Sequence, residues 1–157
     1  IYYRNDVRKS GVDGRALVAT AKRLLAAAGE GSSSLSLTLV ADRAIRAINF
    51  EHRGKDAATD VLSFPMTTLR EPATAARIGP KPERMLGDVV ISIDTARRQA
   101  ADYDATLQNE LYRLLIHGVA HVLGHDHMEA AERRAMESEE RRLADAIALP
   151  WPYEAVR

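Results

Sequence analysis

A chain of 157 residues without a cysteine is long enough for one domain with a real core and short for two, and it can hold neither a disulfide framework nor a thiolate metal site. Hydrophobic residues at 46% and charged residues at 28% are ordinary for a water-soluble domain, and no apolar run reaches the length of a membrane span. Basic and acidic residues balance at 22 each, so composition gives no argument for a nucleic-acid partner.

The spacing of residues predicts the following elements. Ile1-Tyr2-Tyr3-Arg4-Asn5 reads as a short strand. Val12, Ala16, Leu17, Leu24, Leu25 and Ala28 recur at helical spacing until Gly29 and Gly31. Leu35, Leu37 and Leu39 alternate with Ser36, Thr38 and Val40, as in a strand with one well-buried face. Asp42 is the expected cap of a helix that carries Ile45 and Ile48 and ends near Arg53-Gly54. Two further strands are expected at Val61–Met66 and Asp88–Ile93, separated by an irregular excursion, Thr67–Met85, with Pro72, Pro80 and Pro82. Asp94 can cap a short helix through Ala100. Helical spacing resumes from about Asp104 to Val122 and again from about Glu129 to Ile147, before Pro150 and Pro152. The expectation is a single α+β domain, residues 1–157, with about four strands in a mixed sheet and about five helices.

Charge is uneven along the chain. Residues 1–100 carry sixteen basic against eleven acidic side chains, and residues 101–157 carry six against eleven. This fits helix faces kept soluble, and equally a basic surface for a polyanion. The first residue is Ile1, compatible with a trimmed leader, and no basic-then-apolar signal segment is visible; the cytoplasm is the expected compartment.

Four of the five histidines lie in residues 117–127. His117 and His121 are four apart, so on a helix they project from one face and can meet one ion; the plainer alternative is two partly exposed histidines on an amphipathic helix. On a continuing helix His125 would stand about 12 Å from His117, whereas nitrogens sharing one zinc lie within about 4 Å of each other. Gly124 supplies a break at which the chain can turn back, and a turned chain can return His127 to the first two. The expected zinc ligands are therefore His117, His121 and His127, with Asp126 able to orient a histidine or a water from behind. Three imidazoles leave a fourth position open, as in catalytic zinc sites. His52 stands apart and reads as a surface residue.

The spacing His-x-x-x-His-x-x-Gly-x-x-His is shared with the metzincin proteases, which place Glu after the first histidine. Here Gly118 holds that place, which removes the usual base and disfavours peptide hydrolysis. The whole stretch resembles the H-G-x-L-H-L-x-G-Y-D-H signature of the YbeY family of bacterial rRNA maturation factors. It departs at Ala120 and Val122, which are packing changes, and at His125, where tyrosine is usual. His125 can compete as a ligand or titrate near neutral pH, or simply replace one ring with another. Two more blocks are similar to that family: Asn49 to Lys55 with Thr59 to Pro65, against N-x-x-x-R-G-K-x-x-x-T-D-V-L-S-F-P, and Leu86 to Ser92, against G-D-I-x-I-S.

That resemblance implies an α+β fold with a cleft, a metzincin-like zinc-site helix, one zinc ion, and single-strand-specific endoribonuclease activity. It further implies a role in ribosomal RNA processing, including the 3′ end of the small-subunit RNA, and in ribosome quality control. The implied partners are single-stranded or ribosomal RNA and the small ribosomal subunit with its assembly proteins. It also gives importance to Arg53, whose guanidinium can hold two phosphoryl oxygens as charge develops; read alone, Arg53 is an exposed helix-end arginine serving the macrodipole. Thr59 and Asp60 read as turn and capping residues that start the strand, Asp60 also as a weaker candidate to support the site from behind; Asp88 reads as structural, Glu110 as a core-edge or salt-bridge residue, and no residue stands out as general base. The competing reading of another class is a ribosome-assembly binding factor in which zinc holds the fold.

Overall fold

The structure is a computed structural model that describes residues 1–66, 84–125 and 129–151. Its elements in chain order are β1 (Tyr2–Asn5), α1 (Gly14–Ala27), β2 (Ser34–Val40), α2 (Asp42–Arg53), β3 (Val61–Pro65), β4 (Met85–Ser92), α3 (Ile93–Asp102), α4 (Leu107–Val122) and α5 (Ala130–Ala146). The four strands form one mixed sheet in the order β1-β2-β4-β3. β1, β2 and β4 run parallel, and β3 joins β4 antiparallel at the edge.

Alternation along the strands sorts the side chains into two layers. Leu35, Leu37, Leu39, Val89 and Ile91 enter the main core with Leu17 and Leu24 of α1 and Leu111, Leu115 and Val119 of α4. Leu143 and Ala144 bring α5 onto the same core. The opposite face is smaller: Val40, Leu62 and Val90 pack with Ile45 of α2, joined by Ile48 and Phe64. Among the described residues no helix is long and apolar enough to cross a membrane.

The α+β class, the four strands and the five helices agree with the sequence expectation, while several element ends differ for physical reasons. α1 begins behind Asp13, whose carboxylate accepts the Ala16 N–H at 3.0 Å, so Val12 precedes the helix. α4 begins behind Thr106, whose hydroxyl accepts the Asn109 N–H at 3.1 Å, three residues later than expected from Asp104. β4 starts at Met85 rather than Asp88, because Met85 pairs with Ser34 of β2 and Gly87 pairs with Pro65 of β3, the latter in a contact where any Cβ would collide with the Phe64 carbonyl. The expected excursion Thr67–Met85 otherwise falls at residues 67–83, outside the described residues.

The two aspartates expected to cap their own helices act differently. Ala41 occupies the N-cap of α2, and the Asp42 N–H donates instead to the Asp94 carboxylate of α3 at 2.8 Å. Ser92 is the N-cap of α3, accepting from the Thr95 N–H. The Asp42 carboxylate in turn accepts the hydroxyls of Ser92 at 2.5 Å and Thr95 at 2.7 Å. The beginnings of the two helices are thus tied together: the Asp94 carboxylate caps an N–H of α2, and the Asp42 carboxylate holds the capping hydroxyl of α3.

Candidate active site

α4 carries His117 and His121 out of the main core and into a cleft of about 780 Å³. Their rings meet edge to face with centroids 4.7 Å apart, and their Nε2 atoms are 3.2 Å apart. The helix then ends in a hydrogen-bonded turn in which Gly124 takes φ +101°, the Gly124 N–H donates to the His121 carbonyl, and the His125 N–H donates to the Ala120 carbonyl. This is the pattern of a Schellman motif, which reverses the chain at the position expected for Gly124. His125 consequently lines the cleft beside the pair.

Asp126 and His127 lie outside the described residues. Among the described residues no group of three or more His, Asp or Glu comes together as a metal cage. The described part of the candidate centre is therefore the His117–His121 pair.

The pair itself fits a shared cation. Two nitrogens bound to one tetrahedral zinc at its usual bond length stand about 3.3 Å from each other, close to the 3.2 Å separation of the two Nε2 atoms. Behind the pair, His117 Nδ1 is 3.1 Å from a carboxylate oxygen of Glu140 on α5. A carboxylate only accepts, so this contact favours the tautomer of a neutral imidazole that carries its proton on Nδ1 and leaves the Nε2 lone pair toward His121.

Glu140 was not foreseen from the sequence, although a signal exists. Met136, Leu143 and Ala144 are the buried positions of α5, and Glu140 falls on their stripe, four residues after the first and three before the second. Its neighbour Glu139 is occupied elsewhere. Arg142 donates to it and holds its carboxyl below the usual range, against the opposing effect of burial.

The opposite wall comes from β3 and the end of α2. Val61, Ser63 and Pro65 face the cleft, joined by Arg53, the last residue of α2, and by Lys55 from the turn after it. Gly54, with φ +71°, closes that helix, and the buried Asn49 donates from Nδ2 to the Ala57 carbonyl at 2.8 Å, fixing the return to β3. Arg53 is exposed and reaches the Ser63 carbonyl only at 3.4 Å. Lys55 is a second cation in the cleft that sequence reasoning passed over, although it stands in the same block.

The remaining candidates have structural places. Asp60 lines the cleft and accepts the Val61 N–H at 2.8 Å and an amide N–H of Gln99 at 3.3 Å. His52 is exposed, its ring 5.0 Å from that of Phe64. Glu110 is fully buried and paired with Arg113. Gly118 turns to the sheet, where a Cβ would stand 2.7 Å from Val89 Cγ1. A glutamate at this position, as in the proteases, would have to displace the sheet before it could reach the cleft.

The family model for endoribonuclease YbeY matches residues 3–148 of this sequence. The chain belongs to the YbeY family. The sequence is 48% identical over 135 residues to an endoribonuclease YbeY of Anaeromyxobacter sp. (strain Fw109-5), covering 86% of this chain and 65% of that protein. It is 42% identical over 141 residues to the endoribonuclease YbeY of Moorella thermoacetica, covering 87% of this chain and 90% of the relative. The fold is similar to the solution structure of TM1509 from Thermotoga maritima, with a TM-score of 0.54 at 20% identity over 92% of this chain and 89% of that one. The chain thus spans less than two thirds of the Anaeromyxobacter YbeY and nearly all of the Moorella one.

Proposed function

We propose that this chain is a zinc-dependent, single-strand-specific endoribonuclease that processes ribosomal RNA, including the 3′ end of the small-subunit RNA, and serves ribosome quality control in contact with the small subunit. The observation that carries the reading is the approach of the His117 and His121 Nε2 atoms to 3.2 Å within a cleft that Arg53 and Lys55 also line. The naming of its relatives as endoribonucleases supports the same substrate class.

His117 and His121, with His127 as the third ligand, would hold the ion. When bound, zinc supplies Lewis acidity toward phosphoryl oxygen and water. The chain's own cations handle the rest of the charge. Arg53, in long contact with the Ser63 carbonyl, can swing its fork onto two non-bridging oxygens as negative charge grows on them. Lys55 adds a point charge suited to a neighbouring phosphate. Asp60 is fixed by the Val61 N–H and Gln99 and keeps the mouth of β3 in shape. Gly118 leaves no protease-type base next to the pair.

The test compares the parent with His117→Ala and Arg53→Ala on single-stranded and duplex RNA under nuclease-free conditions, with metal content measured on the same samples. Zinc bound by the parent and lost in His117→Ala, with cleavage of single strands only and loss of cleavage in both variants, is the expected result. A parent that binds small-subunit particles but cuts no RNA would replace this reading with that of an assembly factor.

A further inference from the structure

We propose that Glu140 is the positioning residue of the histidine pair: its carboxylate fixes the tautomer and rotation of His117 and so sets the affinity of the site for zinc. The inference rests on the reading of His117 and His121 as metal ligands.

Three observations lead to it. The first is the placement of Glu140 on the core-facing stripe of α5. Its side chain is 13% exposed, while Glu132 and Glu137 of the same helix are exposed. A carboxylate at such a position costs stability unless it is paired, and an apolar side chain would suit the packing better. Its presence therefore asks for a polar task.

The second is the partner. Glu140 lies 3.1 Å from His117 Nδ1, the nitrogen that faces away from His121. An imidazole has two nitrogens and, when neutral, one proton. Holding that proton at Nδ1 leaves Nε2 as the lone-pair donor, which is the state a cation needs. Without the acceptor the ring can take the other tautomer, placing N–H where the ion should sit, and can rotate about its side-chain bonds.

The third is rigidity. A positioning group helps only if it is itself held. Leu143 and Ala144, one turn beyond Glu140, are fully buried in the main core. On the outer side Arg142 clamps Glu139 and donates to the Ala27 carbonyl at the end of α1 at 2.6 Å. The rotation of α5 is therefore fixed from both sides, and the Glu140 oxygen is presented from a fixed helix.

The experiment uses the chain freed of metal with a chelator, and zinc alone as the probe. Zinc affinity is measured by competition with a chromophoric chelator for the parent, Glu140→Leu, Glu140→Gln and the control Glu137→Gln, an exposed carboxylate of the same helix. The protonated nitrogen of His117 in the metal-free proteins is read from long-range proton–nitrogen NMR spectra. Leucine suits the apolar stripe and removes the acceptor; Glu140→Ala repeats the measurement should leucine fail to fold. The expected result is a loss of zinc affinity of about 10–100-fold in Glu140→Leu and a shift of His117 away from the Nδ1–H form. Glu140→Gln, whose carbonyl oxygen still accepts, should restore much of both, and Glu137→Gln should match the parent.

Unchanged affinity together with an unchanged His117 tautomer in Glu140→Leu overturns the proposal. So does an equal loss in Glu137→Gln, which would mark a general charge effect. A parent that takes up no zinc removes the metal reading and the affinity half of this proposal with it, whereas a zinc-binding parent matched by every variant removes the Glu140 role alone.

Discussion

Gly118 lies so close to Val89 that a Cβ on the glycine would stand 2.7 Å from Cγ1 and 3.0 Å from Cγ2 of the valine. This contact lets α4 settle directly on β4 and holds His117, the preceding residue, at the rim of the cleft.

Replacing Gly118 by alanine should therefore destabilise the protein, although alanine is the better helix former by about 1 kcal/mol. Overpacking of a filled core typically costs about 1–3 kcal/mol, and Val89 is branched and stiff. Urea denaturation should show a net loss in Gly118→Ala, and Val89→Ala in the same chain should recover part of it. Independent, additive effects of the two substitutions would contradict the contact.

Arg53 is exposed and loosely tethered, so its removal should spare the fold. Arg53→Ala is expected to melt with the parent while cleaving single-stranded RNA about 10²–10³-fold more slowly, the usual effect of losing one transition-state donor. Arg53→Lys should fall between, since lysine keeps the charge and loses the fork. A gel assay of cleavage beside a melting curve checks both halves.

Zinc should stabilise the folded chain through the His117–His121 pair. At a free concentration one hundred times its dissociation constant the ion should add about 2.7 kcal/mol to unfolding. Chelation should lower the melting temperature of the parent, added zinc should restore it, and His121→Ala should respond to neither.

Asp42 gives a pH signature. Burial acts to raise its pKa, but the hydrogen bonds from Ser92, Thr95 and Arg98 outweigh it and hold the carboxyl below its ordinary range. A carboxyl depressed in the folded state stabilises fully above its unfolded value of about 3.9 and loses that contribution as pH falls toward the lower folded value. The stability difference between the parent and Asp42→Asn should be level from pH 7 to about pH 5 and shrink below about pH 4. Denaturation midpoints across that range test the sign.

Glu110 and Arg113 are 0% and 5% exposed. Arg113 also donates to Gln99 at 3.2 Å. Removing one partner leaves a buried charge, so Arg113→Ala should cost about 3–5 kcal/mol. The pair Glu110→Leu with Arg113→Met should cost much less than the two single changes added together, as a double-mutant cycle would show.

These relationships differ in how far they can be read from residue order. Periodicity is local, so the apolar stripes of α1 and α4, the alternation of β2 and the turn at Gly124 were all legible. So was the convergence of His117 and His121, which needs only the pitch of one helix. The tie between the starts of α2 and α3 was not, because each carboxylate in it acts on a helix that only the sheet brings near. Glu140 was hidden for the same reason: its meaning depends on α5 packing against α4, although its position on an apolar stripe was an available warning. Gly118 was read chemically, as the absence of a glutamate, while its contact with Val89 required the sheet.

The edge position of β3 has a consequence for solubility. Ser92 donates to the Asp60 carbonyl and Met66 to the Leu86 carbonyl, so in the antiparallel ladder the alternate residues Val61, Ser63 and Pro65 turn their backbone groups outward. A bare row of such groups invites another chain to pair with it. Here Asp60 covers the Val61 N–H, Arg53 covers the Ser63 carbonyl, and Pro65 has no N–H to offer. The residues that shape the cleft are also the guards of this border against self-association, and weakening them for the sake of mechanism would invite clumping.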